Sequence, residues 1–211
     1  LLSIVNILEM SEELTEYFSS FLNTDDFPHL NGYFSELYTN HSIIDKIKKS
    51  IIDENTIADN SSVTLANIRR RERRLEQDIK SKLNTILHSS SYSKYIQENV
   101  VTIRNDRYVI PVKQEYRSYV KGFVHDMSSS GSTVFIEPLA VFEFNNELNN
   151  LKIDESAEIE RILYNLSSML FAYTTEIRLD VSIIGKLDFI FAKANYSFQL
   201  NACSPKLSEK T

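Results

Sequence analysis

Residues 100–138 read VVTIRNDRYVIPVKQEYRSYVKGFVHDMSSSGSTVFIEP, and their period decides the fold. VVTIR (100–104) and RYVIPVK (107–113) flank Asn105-Asp106, a pair that tolerates positive φ and so suits a two-residue hairpin turn. KGFVHD (121–126) and STVFIE (132–137) flank a second turn at Ser129-Ser130-Gly131. The stretch predicts four short strands in two hairpins. Pro111 marks an edge or irregular strand, because it cannot donate to a ladder.

The second turn also carries residues with chemical potential. A phosphate loop needs a glycine-rich turn that leads into a helix. Here Gly131 leads into the β-branched and aromatic STVFIE, and no GKS or GKT follows. A serine nucleophile needs a base in reach and a third group to orient it. His125 and Asp126 are adjacent, so on a strand they point to opposite faces and cannot form a relay. A metal site of His125, Asp126 and Glu137 would require the fold to gather them, and the spacing matches no familiar ligand set. The favoured reading is a hairpin turn whose hydroxyls satisfy the backbone.

On either side the period becomes helical. From Ser61 or Ser62, both suitable N-caps, apolar residues fall at Leu65, Ile68, Leu75, Ile79 and Ile86 with Arg and Glu between them. Past the strands, Pro138 suits the first turn of a helix. Apolar residues then run from Val141 and Phe142 through Leu148, Leu151, Ile159, Ile162, Leu163, Leu166 and Leu170 to Ile177, with no Gly or Pro before Gly185. About 40 residues of helix span about 60 Å. Two long helices flanking a small β tip make an antiparallel arm. SIIGKLDFIFAKANYSFQL (182–200) is apolar on most sides and returns the chain to a helical body. The first sixty residues read as short helices broken at TDDFP (24–28) and at Asn31-Gly32, with Ile4, Ile7, Leu8, Phe18, Phe21 and Leu22 at helical spacing. Four Gly and four Pro in 211 residues suit such long elements.

The formal charge of −6 hides an asymmetry: residues 69–121 carry thirteen Lys or Arg against six Asp or Glu. A basic middle in an acidic chain points to local contact with a polyanion. In the strand region Arg104, Arg107, Lys113, Arg117 and Lys121 interleave with Tyr108, Tyr116 and Tyr119. Cations on a rigid surface contact phosphates without reading sequence, and tyrosine stacks on an unpaired base or packs on a sugar. The competing reading is an ordinary solvated sheet face, partly neutralised by Asp106, Glu115 and Asp126. RRRERR (69–74) spreads around more than half of a helix and reads as a solvated face, where Arg69 can pair with Glu72 and Arg73, less directly, with Glu76 or Asp78. Arg70 and Arg74 are candidates for auxiliary polyanion contact. No apolar run approaches the roughly 18 residues of a membrane span, and LLSIVNIL at the start lacks a basic flank. The single Cys203 cannot form an internal disulfide, so a cytoplasmic protein without membrane partners is expected. A start at Leu1 suggests an excised piece.

VVTIRNDRYVIPVKQEYRSYVKGFVHDMSSSGSTVFIEP, followed by NNELNNLK and by EIERIL (158–163), resembles the bacterial MutS-II family, the MutS paralogues with an ATPase and a C-terminal Smr nuclease domain. LDFIFAKANY (187–196) and LANIRRRERRLEQDIKSKLNTIL (65–87) extend the resemblance to about residues 53–200, while residues 1–52 match only loosely. It implies a mainly α chain with a small β insertion: a helical core, a long antiparallel two-helix lever and a four-stranded antiparallel β clamp at its tip. The implied divisions are a core portion at 1–60, an ascending lever helix and connection at 61–99, the clamp at 100–138, a descending lever helix at 139–180 and a return to the core at 181–211. In the family an ATPase that uses ATP and Mg follows this region, and the nuclease follows that. None of their motifs occurs here, so this segment is expected to be neither an enzyme nor a cofactor carrier.

Proteins of this family are associated with suppression of homologous recombination through branched DNA, and with recognition and splitting of stalled or collided ribosomes. The implied partners are branched or duplex DNA and ribosomal RNA. A true MutS also has a mismatch-reading N-terminal domain, which this family lacks, so mismatch repair is a poor guess. Family dimers depend heavily on the ATPase domains, and a monomer or weak dimer is expected for this segment. Heptad-like spacing at 65–86 and 159–177 would allow dimerisation, but the two helices can satisfy each other within one chain. Two roles follow: an arm that grips nucleic acid under control of the ATPase, or a mechanical spacer and protein-interaction arm with little affinity of its own.

Overall fold

The structure is a computed structural model that describes residues 1–20 and 27–203. Phe21, Leu22 and most of the TDDFP break lie outside the described residues. The chain forms two compact units, one of Asp59–Ile162 and one of Leu1–Ala58 with Leu163–Thr211.

The first unit holds helix α4 (Val63–Leu87), strands β3 (Thr102–Arg104), β4 (Arg107–Lys113), β5 (Gly122–Met127) and β6 (Thr133–Pro138), and helix α5 (Leu139–Phe171) up to Ile162. Ser62 caps α4, its hydroxyl accepting from Leu65 N at 2.9 Å. The apolar face of α4 buries Leu65, Leu75, Ile79, Leu83 and Leu87. Leu83 and Leu87 extend the expected stripe of Leu65, Leu75 and Ile79 to the end of the helix.

The four strands form one antiparallel sheet in the order β3-β4-β6-β5. Asn105 (φ 48°) and Asp106 (φ 59°) both turn left-handed, as a two-residue hairpin requires. At the other hairpin Gly131 takes φ 71°. Pro111 does not mark an edge strand: β4 is central, and Pro111 pairs with Phe135 of β6. It is tolerated because β3 pairs only as far as Val109, and the carbonyl of Pro111 accepts instead from Gln97 N at 3.0 Å. Its nitrogen faces the same side, away from β6, so no bond to β6 is lost. Pro138 closes β6 opposite Gly122, and α5 starts at the next residue.

Gly122 is required by proximity. A Cβ at this position would stand 2.1 Å from the carbonyl oxygen of Glu137 and 2.8 Å from Ile136 Cγ2. One core joins the sheet to the helices: Leu75, Ile79, Leu83 and Leu87 meet Ile110, Val112, Val134 and Ile136, with Val141, Leu148 and Leu151 from α5. Each such side chain contributes about 1.5–3 kcal/mol through burial.

The second unit contains α1 (Leu2–Ser19), α2 (Pro28–Ser35), α3 (His41–Ser50), a two-stranded hairpin of β1 (Ile51–Asp53) and β2 (Thr56–Ile57), and α6 (Thr174–Gln199). Several expectations change here. Helix α1 runs to 18 residues and is not short. Asn31-Gly32 lies inside α2 and does not end it, and the space beside Gly32 is open. The hairpin was not foreseen; Asp53 Oδ1 accepts from Asn55 N at 2.8 Å and closes a local turn too short to leave a period.

The long helix expected after Pro138 breaks after Phe171, so α5 measures about 50 Å. The break needs neither Gly nor Pro. Tyr173 N donates to Leu170 O at 3.0 Å, Thr174 Oγ1 donates to Phe171 O at 2.8 Å, and the Tyr173 ring stacks on Tyr38. Asp180 of α6 is fully buried and accepts from Ser11 Oγ at 3.0 Å and Tyr38 N at 2.9 Å. Burial pushes its carboxyl above the usual aspartate range, against those two hydrogen bonds. The early part of α6 buries Ile177, Ile183 and Leu187, whereas Phe189, Tyr196 and Phe198 are exposed. The apolar return segment thus packs along only part of its length. No helix among the described residues is long and apolar enough to cross a membrane.

Candidate nucleic-acid interface

Two of the five clamp cations, Arg104 and Arg107, pair with carboxylates. Glu137 is completely buried and lies opposite Phe123 in the β5–β6 ladder. Arg107 Nη1 donates to its Oε1 at 2.9 Å, Asn145 Nδ2 donates to the same oxygen at 2.6 Å, and His125 Nε2 meets Oε2 at 2.6 Å. Arg107 Nη2 reaches Asn146 Oδ1 at 2.7 Å. Asn145 also donates to Tyr108 O and accepts from Tyr108 N, tying α5 to β4. A carboxylate this deep is tolerated because it is paired and hydrogen-bonded on both oxygens.

His125 reaches Glu137 through an irregularity in β5: the register shifts between Val124 and Asp126, leaving His125 as the extra residue. Asp126 turns instead to Arg104, with Nε to Oδ2 at 3.1 Å, while the Arg104 guanidinium lies 4.1 Å from the Phe135 ring centroid. His125 and Asp126 therefore serve different partners. Among the described residues no group of three His, Cys, Asp or Glu is placed to hold a metal. Nothing local in the sequence singled out Glu137 and Asn145 as a buried pair. Only their eight-residue separation across the strand-to-helix junction brings them together, and that depends on the tertiary fold.

The remaining cations sit around a 3-10 turn, Gln114–Tyr119, that joins β4 to β5. Lys113 ends β4, Arg117 lies in the turn and Lys121 follows it. Arg117 and Lys121 are exposed, and among the described residues none of the three forms an ion pair. Lys113 Nζ makes a long contact of 3.4 Å to Lys94 O. Tyr116 and Tyr119 cluster with Tyr95, at centroid distances of 5.3 and 5.2 Å, and Tyr92 meets Tyr95 edge-on. Tyr108, the third interleaved tyrosine, is buried in the core.

On α4 the arginines pair across elements and not along the helix. Arg69 bonds Asp59 Oδ1 and Glu155 Oε1, both at 2.6 Å, Arg73 reaches Asp59 at 3.1 Å, and Arg71 pairs with Glu147. Arg69 turns to Asp59 and Glu155, and among the described residues Arg73 forms an ion pair with Asp59 and none with Glu76 or Asp78, because α5 and the short 3-10 turn Asp59–Ser61 bring carboxylates to the guanidinium groups. The two arginines hold the Asp59 carboxyl below its usual range. Burial, reinforced by Glu155, raises that of Glu72. Near the start of α4, Ser62 Oγ also donates to Glu158 at 2.5 Å, and Arg161 binds the same carboxylate through two nitrogens. Arg161 and Ser62 hold Glu158 down to about 2. Arg70 and Arg74 are exposed and form no ion pair among the described residues.

The serine-rich turn has a structural task. Ser128 Oγ accepts from Thr133 N at 3.1 Å, Ser128 N donates to Thr133 O at 2.9 Å, and Ser130 bonds Ser132 at 2.8 Å. Gly131 leads into β6, so this turn offers no helix N-terminus for the phosphates of ATP.

No family model matches the chain. Three relatives are each named Endonuclease MutS2. That of Acetivibrio thermocellus is 48% identical across 100% of this chain and 27% of its own length. The Clostridioides difficile protein is 43% identical across 99% of this chain and 26% of its own length. The protein of a Geobacillus species is 41% identical across 100% and 27%. The chain spans about a quarter of the length of the curated relatives it matches. Agreement along the full 211 residues, together with a mainly helical chain carrying one four-stranded sheet, places it: the chain belongs to the MutS-II family.

Proposed function

We propose that this chain is the lever and clamp region of a MutS-II-type protein and grips nucleic acid through the surface around the 3-10 turn 114–119. The observation that carries this reading is that Lys113, Arg117 and Lys121 lie around one turn with no carboxylate partner among the described residues, while Arg104 and Arg107 are held by Asp126 and Glu137. Unpaired cations on a rigid frame bind phosphate by releasing counterions, a contact that tolerates any sequence. Tyr116 and Tyr119 supply aromatic surface beside them. Arg70 and Arg74 extend the positive surface along α4, and Arg104 and Arg107 act as supports of the sheet.

In this reading α4 and α5 are the two lever helices and the sheet is the clamp at their tip. An ATPase with ATP and Mg, carried elsewhere in the whole protein, controls the grip in a cytoplasmic homodimer. The targets are branched or duplex DNA and ribosomal RNA, in recombination suppression and in splitting of stalled ribosomes. Co-sedimentation of the chain with purified ribosomes, with and without competing four-way-junction DNA, tests it at low and physiological salt. Salt-dependent retention that disappears in the triple variant Lys113→Ala/Arg117→Ala/Lys121→Ala is expected. Retention unchanged in that variant, or absent throughout, favours a mechanical spacer or protein-interaction arm.

A further inference from the structure

Tyr119 is an exposed aromatic side chain in a rigid setting. Its residue is 60% exposed, yet it directly precedes Val120, which is buried in the core at 5% and fixes the end of the turn. One face of the Tyr119 ring lies against Tyr95, with centroids 5.2 Å apart and planes 20° from parallel. Tyr116 meets it edge-on at 6.0 Å. With these two neighbours in place the residue still keeps 60% of its surface open to solvent. Arg117 stands two residues before it and Lys121 two residues after, both exposed and without ion pairs among the described residues.

An exposed flat ring flanked along the chain by two cations without ion pairs complements a flat ring flanked by two phosphates. Single-stranded nucleotides present that pattern at each step, and a base there has its face available. A duplex does not, because its base faces are already stacked. We propose that Tyr119 is a stacking platform for one unpaired nucleobase, with Arg117 and Lys121 contacting the phosphates on either side of it. This rests on reading the surface as a nucleic-acid contact, and narrows its ligand to single-stranded or locally unpaired nucleotides. Stacking does not discriminate by sugar, so DNA and RNA strands are equivalent ligands.

Fluorescence anisotropy with the full chain tests this, using labelled oligothymidylate and oligouridylate of about a dozen nucleotides and a blunt duplex of the same length. Tyr119→Ala is expected to weaken both single strands by about tenfold and to change duplex affinity by less than about twofold. Tyr119→Leu keeps an apolar contact with Tyr95 without a π-face, and must lose as much as the alanine variant. Tyr119→Phe must retain wild-type affinity. Arg117→Ala with Lys121→Ala is expected to weaken single strands and duplex alike, and to lower the single-strand salt slope by about 1.4. Equal losses on strand and duplex for Tyr119→Ala, or no loss on either, overturn the stacking platform while the double variant still reports the cation contact. Preference for the thymidylate or the uridylate alone overturns the sugar-blind form of the proposal. Absence of salt-dependent binding to any of the three ligands overturns both readings.

Discussion

Arg107 and Arg117 belong to the same small sheet unit and differ in almost every other respect. Arg107 faces the buried Glu137 and is bound through both terminal nitrogens. Arg117, on the turn after β4, is exposed and meets no carboxylate among the described residues. The difference lies in what each element packs against. The start of β4 lies beneath α5, which brings Asn145 and Asn146 to the arginine, whereas the 3-10 turn faces solvent on the side of its cations. A basic residue in this unit is thus paired or left exposed according to the carboxylates that tertiary packing supplies.

The sharpest way to break this contrast is to remove the buried carboxylate. Glu137→Ala leaves the Arg107 charge, His125 and Asn145 without their acceptor and is expected to cost about 3–5 kcal/mol in urea unfolding. A loss below about 1 kcal/mol would show that water replaces the carboxylate. Gly122→Ala attacks the same end by sterics, forcing a methyl against the backbone carbonyl of Glu137, and is expected to cost about 3 kcal/mol. The two arginines then form a direct pair of experiments. Arg107→Ala should cost about 2 kcal/mol of stability, while Arg117→Ala changes stability by less than about 0.5 kcal/mol and lowers nucleic-acid affinity instead. Equal stability losses would erase the distinction.

At neutral pH the acid–base contrast is the hardest to see, because two buried carboxyls act in opposite directions. Glu158, normally near 4.5, is held down to about 2, so its folded form binds protons less readily than its unfolded form. The stability it contributes is present above pH 4.5 and is lost as the pH falls towards 2. Glu158→Gln should therefore show a flatter acid limb across that window in equilibrium unfolding. Asp180 is raised by burial, so it favours folding in its protonated form and loses that contribution as the pH rises. Asp180→Asn is expected to remove that decline and to be at least as stable as wild type at pH 7. A less stable variant at pH 7 would mean that the hydrogen bonds from Ser11 and Tyr38 outweigh desolvation.

Periodicity exposed the four strands, both hairpin turns and the start of α4, because each is specified by residues near one another in the chain. Asn105-Asp106, Ser62 and the serine-rich turn act through bonds spanning a few residues. The break between α5 and α6 was invisible for the opposite reason. No residue at 172–174 is a strong helix breaker, and the bend is stabilised by Tyr173 stacking on Tyr38, far away in sequence. The candidate surface was half legible: composition picked out five cations, but Asp126 and Glu137 withdraw two of them through contacts that sequence spacing does not encode. The buried Glu137–Asn145 pair escaped because both residues read as ordinary polar positions beside a strand end.

The two hairpins also set an order of assembly. Each closes a tight turn between neighbouring strands, an event of microseconds. Joining α4 to α5 instead brings together residues as far apart as Ser62 and Glu158, 96 positions along the chain. Closing that distance in a flexible chain is opposed by loop entropy, which a folded sheet between the helices largely removes in advance. The sheet is then expected to form first, with the helix pair closing on it. Substitutions in the β3–β4 turn should slow refolding, whereas those near Ser62 should mainly speed unfolding.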